Sequence, residues 1–316
     1  MLRYVFRRLL WMIPILILMS VLVFVMMRVI PGDAAFVALG VYATDEAIEA
    51  YRIRLNLDKP LYIQYLIWVQ DFFSGEFGIS LTTGVSIKEE MYRRLPVTLE
   101  LTALSIALAT LLGIPAGLIA GNRKNSIVDF SVSTVGLTGL SIPNFWLGTM
   151  LVLFFAVQRQ ILPPSGYVRI SESLTDNLRH LILPVIALAV VSASVIMRVT
   201  RTSTIEVLRR DYVRTAQAKG APDSVITRRH VLKNALIPVI TVIGMEAGYI
   251  FGGAFLVEAV FLIPGIATWS LYAISQRDYP VLQATTMVVV LIFMTINLVV
   301  DIMYTYLDPR LRLGDM

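Results

Sequence analysis

The chain has no cysteine, so neither a disulfide framework nor a thiolate metal site is open to it. Its two histidines, His180 and His230, stand far apart and lack the carboxylate pattern of a zinc protease, so they read as ordinary residues at loop edges. No GxxxxGK[ST] phosphate loop occurs, which argues against ATP hydrolysis by this chain alone. Charge is scarce too: 16% of residues are Asp, Glu, Lys or Arg, against roughly 25% in soluble domains. With 57% apolar residues over 316 positions, disorder and a soluble two-domain enzyme are both excluded. The bilayer is the expected solvent. The net charge of +5 does not point to nucleic acid, because the basic residues lie between apolar runs rather than on one soluble face.

What the sequence does have is length in its apolar runs. At about 1.5 Å rise per residue, a hydrocarbon core of about 30 Å needs roughly 20 apolar residues per crossing. Runs of that kind extend from Leu9 to Ile30, Val97 to Ala120, Thr134 to Val157, Leu181 to Thr200, Leu236 to Val257 and Leu282 to Tyr306. Each should be a helix, because lipid offers the backbone no hydrogen-bond partner. The expected fold class is therefore all-α, a polytopic membrane protein with about six spanning helices.

Orientation follows from the loop charges. With the first residues inside, 15 Lys and Arg lie on the cytoplasmic side and 10 outside, while Arg28 and Arg198 sit at span ends where long side chains can snorkel. The compact Arg123-Lys124 turn and the basic 201–233 loop contrast with a long, acid-rich outer segment. Both termini are thus expected in the cytoplasm. Arg7 and Arg8 before an apolar stretch resemble a signal peptide, but the core from Leu9 to Met27 exceeds the usual 7–15 residues and reads as a retained anchor. The expected organisation is a cytoplasmic start and first span over 1–30, an extracytoplasmic segment over 31–96, a membrane core over 97–306, and a cytoplasmic tail over 307–316.

Two loops carry pattern. In the outer segment Leu61, Tyr65, Trp68 and Phe72 follow Pro60 at helical spacing, which predicts a short amphipathic helix. A weaker one starts near Thr44 with Ile48, Tyr51 and Leu55. These helices can either cap an outer opening or meet a partner, or lie on the membrane surface. In the inner loop, 201–234, Ile205, Leu208, Tyr212, Thr215 and Ala216 keep a helical period until Gly220-Ala221-Pro222 stops it. Asp223 then opens a second helix leading into the fifth span. Such a helix, sharp turn and helix is longer than a connection needs, which suggests docking; a basic stretch held against anionic headgroups is the other reading.

At this loop the sequence resembles the permease family of bacterial ABC importers for dipeptides, oligopeptides and nickel. DYVRTAQAKGAPDSVITRRHVLKNALIPVIT, from Asp211 to Thr241, is similar to that family's cytoplasmic coupling motif, which in importers generally opens Glu-Ala-Ala and has a glycine four residues on. Here Arg214, Thr215, Ala216 and Gly220 take the opening positions and Ile237-Pro238 the closing ones; the peptide branch commonly reads Arg-Thr-Ala there. The segments MLRYVFRRLL, VIPGD (Val29 to Asp33), LDKPLYIQY, GEFGIS, RLPVTLELT, SIPNFWLG, LPPSG, GGAFLVEAVFLIPGI and RDYP agree in order, so the resemblance covers nearly the whole chain.

The resemblance implies a type I importer-like permease fold in the bacterial inner membrane. It implies a second, homologous permease, two ATPase subunits holding ATP and Mg, and an extracytoplasmic substrate-binding protein as partners. Besides these the chain meets lipid; no nucleic acid and no cofactor of its own are expected. Tyr212 and Val213 are expected to fill a groove on the ATPase, Gly220 to let the backbone turn, and Pro238 to fix the start of the next span. Gly244, Gly248 and Gly252 recur every four residues, a stripe that lets another helix approach closely, in this chain or the partner.

Glu246 on the same span is costly at that depth unless it meets water, a charge or a cavity, so it is a pathway candidate. The family often carries Gln there, so an acid can mark a preference for cationic or free-amine substrates; an interhelical hydrogen bond is the alternative. Glu100, Glu258 and Asp301 are expected nearer the interfaces, hydrated or paired with arginine. A secondary transporter would show paired halves or intramembrane relays, and a membrane enzyme a nucleophile with its base or a metal cluster; neither pattern is present. Nickel, glutathione and opines remain alternative cargoes within the family.

Overall fold

The computed structural model describes residues 2–29, 39, 43–54 and 56–307. The VIPGD motif from Ile30 onward, Leu55 and the tail from residue 308 lie outside the described residues. Among those described, regular structure is helical apart from one antiparallel bridge, Ile79 with Ser86.

Five helices are long and apolar enough to cross a membrane: α1 (Leu2–Val29), α4 (Ile87–Asn122), α7 (Leu174–Leu208), α9 (Asp223–Gly253) and α12 (Tyr279–Leu307). The shorter α2 (Asp45–Arg54) and α3 (Leu61–Ser74) fall where the periodicity places them. The third expected span is not one straight helix. It is a pair, α5 (Ile127–Ser141) and α6 (Asn144–Gln158), bent by 97°. The cause is local: Pro143 pushes Ile142 out of the helical region, to φ −90° and ψ 121°, and the helix must restart. Counted as one span, the pair brings the total to six.

Other boundaries shift. The second span begins ten residues early because Ile87 to Pro96 is amphipathic helix, with Glu90 paired to Arg94 at 2.7 Å. The fifth ends at Gly253 rather than Val257, and the short α10 (Phe255–Val260) follows it. After α10 comes α11 (Ile266–Gln276). Serine caps set two starts: Ser126 Oγ accepts from Asp129 N, and Ser173 Oγ from Asp176 N.

Contacts group the described residues into two compact units, one of Leu99–Ile263 with the chain from Thr295 on, the other of those within Arg3–Thr98 and Pro264–Met294. In the first, α7 is the central helix. Ala189 and Ile196 on it pack with Ala109 of α4 and Val239 of α9, all at 0% exposure. Close approach of α4 to α7 depends on Gly113, Gly117 and Gly121. A Cβ at Gly117 would stand 2.5 Å from both Met197 O and Thr200 Cβ, and one at Gly121 2.6 Å from Thr204 Cβ.

In the second unit, Tyr65, Trp68 and Phe72 of α3 stack successively at 6.2 Å, and Phe24 of α1 lies 5.5 Å from Tyr65. The aromatic stripe of α3 is therefore spent on α1, while Leu61, Tyr62, Leu66 and Phe73 on its other side stay exposed. Asp278, at 2% exposure, ties the 80–82 loop to the start of α12. Its carboxylate accepts from Ser80 Oγ at 2.5 Å, Thr82 Oγ1 at 2.8 Å and the backbone of Leu81 and Thr82.

Candidate functional site

The elbow between α7 and α9 is built as a small core with one free face. The helix α8 (Asp211–Ala218) restarts after Arg209-Arg210, so the periodic run from Ile205 is two helices rather than one. Val213 is fully buried with Ile226, Val231 and Ala235, and Ala216 packs against them. This corrects the expectation for Val213: its side chain holds the elbow together and is not available to a groove on another protein. Tyr212, 45% exposed, is available, its ring 6.3 Å from that of His230. Arg214 and Thr215 share the exposed side, with the Arg214 side chain 71% exposed.

Gly220 turns the chain at φ +79°, with open space where a Cβ would project. A left-handed turn there is costly for any β-branched residue. α9 starts at Asp223 and widens into π turns over Ile226–Val231. Pro238 lies well inside that helix and is exposed, so the helix itself does not start there. A cavity of about 680 Å³ adjoins the elbow, with Asn122, Gln217, Asp223 and Arg228 in its wall.

On α9, Glu246 accepts a hydrogen bond from Ser192 Oγ of α7 at 2.6 Å. The interhelical bond is thus present, and it leaves the other carboxylate oxygen for a second partner. The glycine stripe divides. At Gly244 a Cβ would collide with Val300 of α12, and Gly248 is buried, but a Cβ at Gly252 meets nothing within 4 Å. Close packing within the chain holds at Gly244, and Gly252 faces open space. The tighter stripe, Gly113, Gly117 and Gly121, escaped the sequence reading although its four-residue spacing was the same signal.

Two polar clusters were also missed or misplaced. Asp129, whose side chain is 5% exposed, accepts from Arg201 Nε at 2.5 Å and Nη2 at 2.8 Å, so Arg201, counted in the sequence only as loop charge, in fact clamps α7 to α5. Glu100 accepts from the Tyr167 hydroxyl at 2.6 Å, not from an arginine. Burial first, and then the Glu100 contact, holds the Tyr167 phenol above its usual range, so it remains a donor. Glu258, expected near an interface, is 0% exposed, and Asp301 is half-buried on α12. Among the described residues no group of three or more His, Asp or Glu can hold a metal ion.

Residues 113–313 match the family described as binding-protein-dependent transport system inner membrane component, and residues 1–102 match its N-terminal membrane component. The chain belongs to this family. It is a multi-pass inner-membrane permease component of an ABC importer and not an enzyme: ATP is hydrolysed in separate ATPase subunits, and a substrate-binding subunit works with it.

Among its relatives is the dipeptide transport system permease protein DppB of Alkalihalophilus pseudofirmus, 40% identical, with 99% of this chain and 100% of that protein covered. The di/tripeptide transport system permease protein DppB of Pseudomonas aeruginosa is likewise 40% identical, with 99% of each chain covered. The glutathione transport system permease protein GsiC of Escherichia coli is 39% identical, also with 99% of each covered. The solved inward-facing MetNI methionine ABC transporter shares the fold, with a TM-score of 0.58 at 19% identity over 69% of this chain and 96% of that one.

Proposed function

We propose that this permease forms half of the translocation pathway for small peptides, the other half coming from a second, similar permease. Two ATPases, which bind the ATP and Mg, engage the elbow, and an extracytoplasmic protein delivers the peptide. The observation that carries the peptide reading is similarity over nearly the full length to dipeptide, di/tripeptide and glutathione permeases, glutathione being itself a small peptide.

In this reading the termini and the elbow face the cytoplasm, as the lysine and arginine bias supports. Tyr212, Arg214 and Thr215 meet the ATPase, while Val213 and Ala216 stiffen the elbow so that a closing motion reaches α9 instead of being absorbed. Gly220 permits the turn, Glu246 lines the route, and the open face at Gly252 receives the partner permease.

The test is uptake by the complete complex in proteoliposomes containing the binding protein. Dialanine should accumulate only with ATP. Accumulation of nickel or an opine without dialanine would reassign the cargo, and uptake driven by an ion gradient without ATP would overturn the reading.

A further inference from the structure

Within the second of the two units, α3 packs against α1 at a depth that its place in a loop segment does not suggest. Ser20 Oγ and the Tyr65 hydroxyl share a hydrogen bond at 2.8 Å. The Phe24 ring lies 5.5 Å from that of Tyr65 and 6.0 Å from that of Trp68, and Phe72 is buried with Val23. α1 carries the run Phe6–Val29, 24 residues long enough and apolar enough to cross a membrane. At 1.5 Å per residue the run is about 36 Å long, so it overhangs a hydrocarbon core of about 30 Å by about 3 Å at each end. Phe24 then stands about 4.5 Å, and Ser20 about 10 Å, inside the hydrocarbon at the C-terminal end of α1. Arg28, at that end, donates to Gln64 Oε1 at 2.5 Å, which ties the first turn of α3 to the membrane surface while Tyr65, Trp68 and Phe72 reach below it.

The composition of α3 suits such a place. Its 14 residues, Leu61–Ser74, are too few to span a bilayer, and Asp71 is the one charged residue among them. At about 100° per residue, Tyr62, Leu66 and Phe73 fall within about 40° of one another, about 110° round the helix from the stripe that packs on α1 and about 160° from Asp71. These three are 68%, 61% and 68% exposed, although the chain itself holds them beside a spanning helix. A water-soluble partner cannot follow a helix to hydrocarbon depth, whereas an interfacial helix buries its apolar face about 5–10 Å below the headgroups.

We propose that α3 is inlaid in the bilayer leaflet at the C-terminal end of α1, with Tyr62, Leu66 and Phe73 against the acyl chains and the aromatic stack on α1 as its mooring. This helix is neither a cap over an outer opening nor a docking surface for a soluble protein. The leaflet is the outer one under the orientation proposed above, and that assignment alone rests on it.

The complete permease complex is placed in nanodiscs of phosphatidylethanolamine with phosphatidylglycerol. Tyr62→Cys, Leu66→Cys and Phe73→Cys variants of this cysteine-free chain carry a nitroxide, and the wild-type complex taken through the same labelling supplies the background from the other subunits. Power-saturation electron spin resonance reads collisions with molecular oxygen, which partitions into acyl chains, and with a nickel chelate, which stays in water. Leu22→Cys on α1 and Glu172→Cys in a loop, both exposed, are the lipid and water references. At the three α3 positions the ratio of oxygen to chelate collisions should match that at Leu22 and exceed that at Glu172 severalfold, with or without the binding protein. A ratio like that of Glu172 places α3 in water and overturns the proposal. Low collision rates with both reagents, throughout or once the binding protein is added, place the face under another protein and overturn it equally. The measurement needs neither ATP nor a cargo, so a failure of the transport reading would leave its outcome standing.

Discussion

Asp129 and Arg201 show what burial does to an ion pair. The carboxylate is nearly inaccessible and bound through both oxygens, so Asp129→Asn strands a guanidinium beside a neutral amide. Breaking such a pair should lower stability by about 3 kcal/mol, read as a fall in the detergent melting temperature. The exposed pair of Glu49 with Arg52, at 3.3 Å, is the control: Glu49→Gln should change stability by less than about 0.5 kcal/mol. Glu246 poses a different question. Glutamine keeps an acceptor for Ser192 Oγ, so Glu246→Gln preserves the interhelical bond and removes only the charge. Uptake of a lysine-containing dipeptide should then fall about tenfold relative to dialanine; an unchanged ratio would leave Glu246 as a packing group. The importance of Asp129 was not legible in the sequence, because nothing in the spacing of 129 and 201 says that two helices will meet there.

For the helical elements, close approach and stiffness are what can be tested. Gly117→Ala forces a methyl against Met197 O and Thr200 Cβ, and overpacking of that kind costs about 1–3 kcal/mol. Gly252→Ala meets only open space in this chain. It should leave the isolated subunit's melting point unchanged and weaken assembly with a second permease, measured by co-purification. At the elbow, Gly220→Val places a β-branched residue at φ +79°, a strain of about 1–2 kcal/mol or more. Membrane insertion should persist while ATP-driven dialanine uptake drops about tenfold or more; wild-type uptake in this variant would remove the elbow from the coupling path. The elbow's two helices were legible from Gly220-Ala221-Pro222 and the acidic start at Asp223. That Val213 turns inward was not, since at this length a helical period marks an apolar residue without saying which neighbour covers it.

The absence of cysteine makes the topology of the whole molecule directly measurable. With both termini inside, Glu172→Cys should react with a membrane-impermeant maleimide in intact cells, whereas Lys219→Cys should react only after permeabilisation. Both positions are exposed, so access is decided by the membrane and not by the fold. The reverse pattern would invert the orientation and place the elbow out of reach of any cytoplasmic ATPase.

By itself the sequence determined the solvent, the helical class, the approximate places of the spans and the family, because these follow from local composition, from the length of apolar runs and from motifs read in order. Only the tertiary structure decided which of two glycine stripes is a tight interface, that the third span bends at Pro143, that Arg201 belongs to Asp129, and that Pro238 lies inside a helix. These depend on which surfaces lie against each other, and the same spacing of small, apolar or charged residues serves a buried face, a lipid-facing one and an empty one alike.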